Sequence, residues 1–424
     1  MSADETVLLG VTRVGARGDG IAEHQGRPVY IPFAAPGDRV RVRLGKPRDE
    51  GRQAALMEVI EAGARQDPVC PHFGSCGGCA LQHLAEDAYA RMKEEQVRRA
   101  LAHRGLDADK VEPLLRLPPG TRRRARLALL RPRKGAPLVG FHGRESSAIV
   151  DMRSCAVLHP GLVALVAPLR DLASRLLHPG ESGFATLTAL DSGVDLLLDL
   201  PAVPDMAGLE NLAEFAAARD LARLAWRADP REPPTPAAER RPSRAVFAGV
   251  AVEVPPDSFL QASTEADRAL TELVLGGAGA ATRIADLYAG LGTFTFALAA
   301  RASVHAVDGA RPAIAALVAA AARAGLAQRV SAEVRDLERR PLLADELRRF
   351  DTVLFDPPRA GARAQGEALA SSRVPRVVAV SCNPATLARD ARALADGGYR
   401  LTRVAPVDQF VWSAHVELVA WFER

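Results

Sequence analysis

The sequence predicts a multidomain α/β protein in three stretches: a small β-barrel over residues 1–64, a β-rich segment carrying a cysteine cluster over 65–254, and a parallel α/β unit over 255–424. Three observations predict it. The chain has 424 residues, more than one ordinary core organises, and a prior of about 150 residues per domain gives two or three domains. Period-2 alternation punctuated by Gly and Pro fills the N-terminal stretch, whereas strand-like and helix-like runs alternate after about residue 255. The hydrophobic fraction of 48% and charged fraction of 25% exclude a mostly disordered or collagen-like chain.

In residues 5–62, TVLLGVTRVG, the glycine turn ARGDGIAEHQGRP, VYIPFAAPGDRVRVRLG and AALMEVIEAG read as four or five short strands. That number fits a barrel of the OB kind, a fold that often binds RNA or single strands. Residues 66–115 hold three cysteines and then DAYARMKEEQVRRALAHRG, whose helical period stops at Gly105. RRRARLALLRP, APLVGFHG, FATLTALDSGVDLLLDL and LARLAWRA read as antiparallel strands. The five prolines between Pro230 and Pro242 read as a long hairpin loop. From TRIADLYAG onward, through TFTFALAARA, SVHAVD, ARPAIAALVAAAARAGL, RVSAEVRDL, FDTVLFDPPRAG, RVVAVSCNP and ATLARDARALADGG, the pattern is that of βαβ units. Such units form a parallel sheet with ligands at the carboxyl ends of its strands.

No apolar run reaches the ~18 residues of a membrane span. The N-terminal MSADETVLLG lacks the profile of a secretion signal. The expectation is a cytoplasmic protein with reduced thiols. Its five cysteines, an odd number, exclude complete disulfide pairing and turn attention to metal binding or catalysis. The net charge of +4 is unevenly spread: residues 1–155 carry 26 Lys/Arg against 19 Asp/Glu, and the remainder 29 against 32. Between Glu112 and Glu145 there are nine bases and no acid. Clustered arginines suit phosphate contacts and point to RNA; a solvated charged face is the plain alternative.

Four constellations carry chemistry. Cys70, Cys76 and Cys79 stand in C-x5-C-x2-C, and Cys155 follows after 75 intervening residues. Four soft sulfurs suit zinc or an iron–sulfur cluster, and spacing does not choose between them. In Asp286-Leu-Tyr288-Ala-Gly290-Leu-Gly292-Thr293, two turn glycines let a nucleoside approach the backbone, and Asp308 ends the next strand where a carboxylate can accept ribose hydroxyls. Together Asp286, Gly290 and Asp308 look like an S-adenosylmethionine site. In Asp356-Pro357-Pro358-Arg359, a rigid loop follows a strand, and the arginine in the place of a base-stacking aromatic argues against amino-group methylation. Finally, Cys382 precedes Asn383-Pro384 and a helix whose N-terminus should lower the thiol pKa, making it a nucleophile candidate. Glu417, flanked by apolar residues in the last strand, is a candidate proton acceptor.

These ordered motifs resemble the RNA uracil-5-methyltransferase family, and within it the bacterial 23S ribosomal RNA branch. The segments DLYAGLGTFTFALA, FDPPRAG, SCNPATLARD and HVELV carry the resemblance. It implies a TRAM barrel over 1–64, a central domain with the cysteine cluster and basic β segment over 65–254, and a Rossmann-like S-adenosylmethionine-dependent domain over 255–424. It implies that Cys70, Cys76, Cys79 and Cys155 hold a [4Fe–4S] cluster, and that Gln261, Tyr288, Gly290, Gly292, Thr293, Asp308, Asp336 and Asp356 line the cofactor and base pocket. The implied reaction adds the Cys382 thiolate to uracil C6, with Glu417 removing the C5 proton. The expected partner is a single-stranded RNA loop with a flipped uridine, without membrane or second subunit. Ala289, Thr293 and Asp308 stand where the family often has Cys, Asn and Glu. Two alternatives accompany this expectation: a transfer-RNA uracil-5-methyltransferase, and a catalytically silent RNA-binding assembly factor.

Overall fold

The computed structural model describes residues 5–48 and 51–424, so the first four residues of the N-terminal segment lie outside the described residues. The N-terminal strands are β1 (Thr6–Gly10), β2 (Arg13–Val14), β3 (Gly20–His24), β4 (Arg27–Ile31), β5 (Arg39–Arg48) and β6 (Gly51–Glu61). They form one sheet in the order β1-β5-β6-β4-β3-β2. Alternation in β5 explains its two faces: Val40, Val42 and Leu44 are buried, while Arg39 and Arg41 stay outside and pair with Glu61 and Glu58 of β6. Leu9, Val11, Val29 and Ile31 complete a core of its own.

Next come α1 (Glu86–Ala102) and β7 (Leu115–Arg116). The buried stripe of α1 (Tyr89, Met92, Val97 and Leu101) packs into the core that also holds Leu287, Phe355 and Leu387 of the C-terminal part. β7 adds an edge strand to the same C-terminal sheet, pairing with its last-but-one strand.

The central segment contains β8 (Arg124–Leu130), β9 (Leu138–His142), β10 (Ile149–Asp151), α2 (Pro160–Val163), α3 (Val166–Leu176), β11 (Ser182–Leu190), β12 (Gly193–Asp199), α4 (Met206–Ala218), β13 (Arg223–Arg227) and β14 (Thr235–Glu239). Its seven-stranded sheet runs β10-β9-β8-β11-β12-β13-β14. The expectation of purely antiparallel strands needs a correction: β12 and β13 are parallel. A parallel step needs a long crossover, and α4, not foreseen from the sequence, supplies it. The proline-rich stretch also differs from a plain loop. It contains β14, an edge strand in which Pro236 lies opposite Ala225 of β13, and edge strands tolerate the missing N–H of a proline.

A hairpin of β15 (Arg244–Phe247) and β16 (Val250–Glu253) leads into α5 (Thr264–Ala278), β17 (Arg283–Leu287), α6 (Thr295–Ala299), β18 (Ser303–Asp308), α7 (Arg311–Arg323), β19 (Val330–Val334), α8 (Ala344–Leu347), β20 (Thr352–Phe355), α9 (Arg363–Ala370), β21 (Arg376–Ser381), α10 (Pro384–Asp396), β22 (Arg400–Asp408) and β23 (Glu417–Glu423). The sheet runs β19-β18-β17-β20-β21-β23-β22-β7, with β17 to β21 parallel and β23 antiparallel to both neighbours. Successive strands step outward in opposite directions from the β17–β20 pair, which makes a crevice at their carboxyl ends. No described helix is long and apolar enough to cross a membrane.

Candidate active site

Strand register brings the sequence candidates to one sheet edge. Leu287 pairs with Phe355, so Tyr288 and Asp356 leave β17 and β20 side by side at the crevice. Cys382 follows the last residue of the neighbouring β21, and β23 begins at Glu417, next to the Leu418 that faces Ser381. β22 ends at the same level and delivers Gln409. Asp356, Cys382 and Glu417 therefore come from three adjacent strands.

Amides bind this group together. Gln261, 4% exposed, donates its Nε2 to Asp356 Oδ2 at 3.0 Å. Gln409 Nε2 donates to Gln261 Oε1 at 3.0 Å and also to Glu417 Oε2. Burial raises both carboxyls. Asp356 is pushed up to about 7, with the Gln261 amide opposing. Glu417 is raised well above the carboxylate range by burial and then by the Asp356 charge, with Gln409 opposing. Two buried carboxyls this close do not both ionise readily.

The lowered thiol pKa expected for Cys382 is reversed. Cys382 does precede the Asn383 that caps α10, but its thiol is pushed up to about 11. Burial contributes most, followed by the Glu417 and Asp356 charges, and Arg359 opposes them. The helix N-terminus is spent elsewhere: Asn383 Oδ1 accepts from the Ala385 N–H at 3.1 Å. Ionising Cys382 therefore requires a nearby base, and two carboxyls are in place.

The Asp-Pro-Pro-Arg loop is fastened to α10. The Arg359 carbonyl accepts from Asn383 Nδ2 at 3.1 Å, Arg389 donates to the Ala360 carbonyl at 3.0 Å, and Asp390 takes the Ala362 N–H at 2.8 Å. Arg359 itself is exposed, with Nη2 3.3 Å from His415 Nδ1.

The glycine turn forms a second cluster on the other side of the crevice. Asp308 uses Oδ2 for the Gly290 N–H at 2.9 Å and Oδ1 for the Ala310 N–H at 2.7 Å. Each oxygen keeps a second acceptor site. Gly290 has φ 54°, and a Cβ there would meet nothing within 4 Å, so its bare backbone opens onto free space. Gly292 plays a different part: a Cβ would sit 2.6 Å from the Phe296 ring, so the residue serves packing. Tyr288 holds φ 61°, a conformation disfavoured for a tyrosine and characteristic of sites where geometry is imposed. Burial raises its hydroxyl pKa, helped by the charges of Glu338, Asp390, Asp336 and Asp308. Asp336 is exposed beyond β19, its Oδ1 taking the N–H groups of Glu338 and Arg339 at 3.1 and 3.2 Å. Thr293 is partly exposed, and its hydroxyl has no hydrogen-bond partner among the described residues.

Cys70, Cys76, Cys79 and Cys155 line one cavity of about 340 Å³, together with His72, Arg122 and Phe410, Val411, Ser413 and His415 of the β22–β23 loop. The Cys76 thiol is raised and that of Cys79 pushed up to about 12, by burial first and also by the other cysteines. Gly78 N–H points at Cys76 Sγ at 3.4 Å. Among the described residues, no group of three or more His, Cys, Asp or Glu side chains is arranged to hold a metal ion. Ala80 and Leu81 N–H both bond the Trp412 carbonyl, which ties the cysteine segment to the loop between Gln409 and Glu417.

Sequence reasoning missed Gln409 and Thr295. Neither gave a signal: a glutamine after a strand and a threonine opening a short helix are ordinary, and only tertiary contact reveals their partners.

Residues 250–424 match the family model described as tRNA (uracil-5-)-methyltransferase. An RNA methyltransferase of Brucella suis biovar 1 is 43% identical across 99% of this chain and 98% of its own length. The 23S rRNA (uracil(1939)-C(5))-methyltransferase RlmD of Chromohalobacter salexigens is 36% identical over 98% of this chain and 89% of its own. The fold is similar to that of the tRNA (uracil-54, C5)-methyltransferase of Pyrococcus abyssi, with a TM-score of 0.74 at 23% identity, covering 98% of this chain and 100% of that one. On these likenesses and the matching strand-edge motifs, the chain belongs to the RNA uracil-5-methyltransferase family.

Proposed function

We propose that this protein transfers a methyl group from S-adenosyl-L-methionine to C5 of a uridine in 23S ribosomal RNA through a covalent adduct with Cys382. The observation that carries the reading is the meeting of Cys382, Glu417 and Asp356 at three neighbouring strand ends. Uracil C5 is too weak a nucleophile to take a methyl group unaided. With its proton passed to the Asp356 carboxylate, which leaves Glu417 free, the Cys382 sulfur bonds to C6, and the C5=C6 electrons form the bond to the methyl carbon. The methyl–sulfonium bond breaks, leaving S-adenosyl-L-homocysteine. Glu417 then takes the C5 proton, the C–H electrons restore C5=C6, and the Cys382 thiolate departs. Gln261, Tyr288, Gly290, Gly292, Thr293, Asp308, Asp336 and Asp356 line the pocket for the methyl donor and the base, with Asp356 holding either the base or the amine of the donor. A base must leave its stack to reach this crevice.

The 36% likeness to a 23S rRNA enzyme along the whole chain supports the ribosomal target. The fold shared with a transfer-RNA enzyme keeps that RNA as the second reading. The N-terminal strands are proposed to form the TRAM barrel, and the arginine-rich β8 region to grip the phosphates. For the cysteines, the proposed ligand is a [4Fe–4S] cluster: four soft sulfurs line one cavity, a donor set that suits such a cluster, and the family resemblance implies it. Thiols that raise one another's pKa ionise together only against a cationic centre. The cluster's part is to shape the RNA-binding surface. Protein purified without oxygen is expected to carry iron and acid-labile sulfide; stoichiometric zinc would overturn this assignment.

Cys382→Ala is expected to abolish both methylation of unmodified 23S ribosomal RNA and the covalent complex with RNA containing 5-fluorouridine. An active variant would refute the adduct. Mapping 5-methyluridine in ribosomal and transfer RNA of a deletion strain decides between the two RNAs.

A further inference from the structure

The reaction proposed above needs Glu417 to present one defined oxygen to C5, and among the described residues one side chain, Gln409, hydrogen-bonds it. Gln409 is 6% exposed, and both its amide oxygen and its amide nitrogen have partners. Its Oε1 accepts the backbone N–H of Ala262 at 3.1 Å. A backbone N–H only donates, so it fixes which end of the amide is oxygen. Nε2 must then face the other way, with one hydrogen on Gln261 Oε1 and one on Glu417 Oε2. Gln261 is oriented in turn, its own Nε2 turned to Asp356. The Ala262 loop is itself fixed from the central segment: Arg123, paired with Asp267, gives Nε to the Gln261 carbonyl at 3.0 Å and its N–H to the Ala262 carbonyl at 2.8 Å.

We propose that Gln409 is the positioning residue for the base, holding Glu417 by Oε2 so that Oε1 receives the C5 proton. This rests on the uridine-C5 reading. Because Oε2 faces an N–H, a proton on Glu417 sits on Oε1. When Oε1 takes the proton, the C5–H electron pair becomes the C5=C6 bond and the C6–S pair returns to Cys382. The amide also favours the charged form of Glu417, opposing burial and the Asp356 charge. The Cys382 thiol feels the Glu417 and Asp356 charges, and Arg359 acts on it in the opposite sense.

The test separates the steps before and after proton removal. With RNA carrying [5-3H]uridine, tritium release reports abstraction. With RNA carrying 5-fluorouridine, the trapped complex reports the earlier steps, because fluorine does not leave as a proton. In Gln409→Met, similar in shape but without a donor, tritium release is expected to slow by about tenfold, the loss of roughly one hydrogen bond to a charged group. Its acidic limb moves to higher pH, since losing the amide raises the Glu417 pKa, and activity recovers towards alkaline pH. Trapping stays within about twofold of the parent rate, a change too small to register as a lost hydrogen bond. Gln409→Leu likewise removes the donor without adding a charge, giving the same result if the methionine variant does not fold. Unchanged tritium release and pH limb in a folded variant, or parallel loss of trapping and release, would overturn the assignment. Absence of both signals from the parent enzyme would instead reject the uridine-C5 reading.

Discussion

Asp286 has no exposed surface, and among the described residues only one of its oxygens has a partner: Oδ2 takes the Thr295 hydroxyl at 2.6 Å, while Oδ1 is buried without one. Burial pushes its pKa up to about 7, with the Asp356 and Asp308 charges adding to the effect. A raised acid costs stability as pH rises from its unfolded value towards the folded one, because only the unfolded chain releases the proton there. Ionisation of Asp286 thus lowers stability between about pH 4 and pH 7, by on the order of 4 kcal/mol. Asp286→Asn keeps the acceptor for Thr295 and removes the titration. The variant is expected to melt at least as high as the parent above pH 7 and to show a flatter dependence of melting temperature on pH. A parallel pair of curves would show that Asp286 does not titrate in this range. The sequence made Asp286, Asp356 and Glu417 visible as acids at strand ends. Their shared burial was invisible, because it depends on register between strands far apart in the chain.

At the scale of elements, the loop after β20 is shaped by α10. Gly361 has φ 80°, and a Cβ there would lie 2.7 Å from Asp390 Oδ2 and 2.5 Å from the Arg389 guanidinium. Gly361→Ala combines a left-handed alanine, costing about 1–2 kcal/mol, with displacement of the carboxylate that holds the Ala362 N–H. Urea unfolding should show that loss. Methylation should fall further than stability does, because Asp356 heads the same loop. A variant that loses stability with full methylation would uncouple the loop from the site. The segment FDPPRAG announced a rigid loop, and its prolines account for that stiffness. What it could not announce is the surface it leans on, since Asn383, Arg389 and Asp390 belong to the next βα unit.

At the scale of the molecule, a buried cluster joins the N-terminal half to the strand ends that carry Asp356, Cys382 and Glu417. Lys93 of α1 and Asp408 of β22 form an ion pair with no side-chain exposure. The Tyr89 hydroxyl donates to Asp408 and accepts the Trp412 N–H, while Lys93 also holds the Phe410 carbonyl at 3.1 Å. Burial lowers the Lys93 pKa to about 8 against the pull of Asp408. Removing one member of such a pair costs about 3–5 kcal/mol. Lys93→Met belongs at the lower end, because Tyr89 and Arg116 still face Asp408. Denaturant unfolding measures the loss; a change under 1 kcal/mol would show that the pair adds little. The sequence by itself determined the βαβ order, the strand-end acids, the nucleophile candidate and the cysteine set, since these depend on local periodicity and residue chemistry. Tertiary structure alone decided that α1 and β7 serve the C-terminal sheet, that β12 and β13 run parallel, and that the Cys382 thiol is raised. Each of these follows from the groups packed around an element, and those groups come from distant parts of the chain.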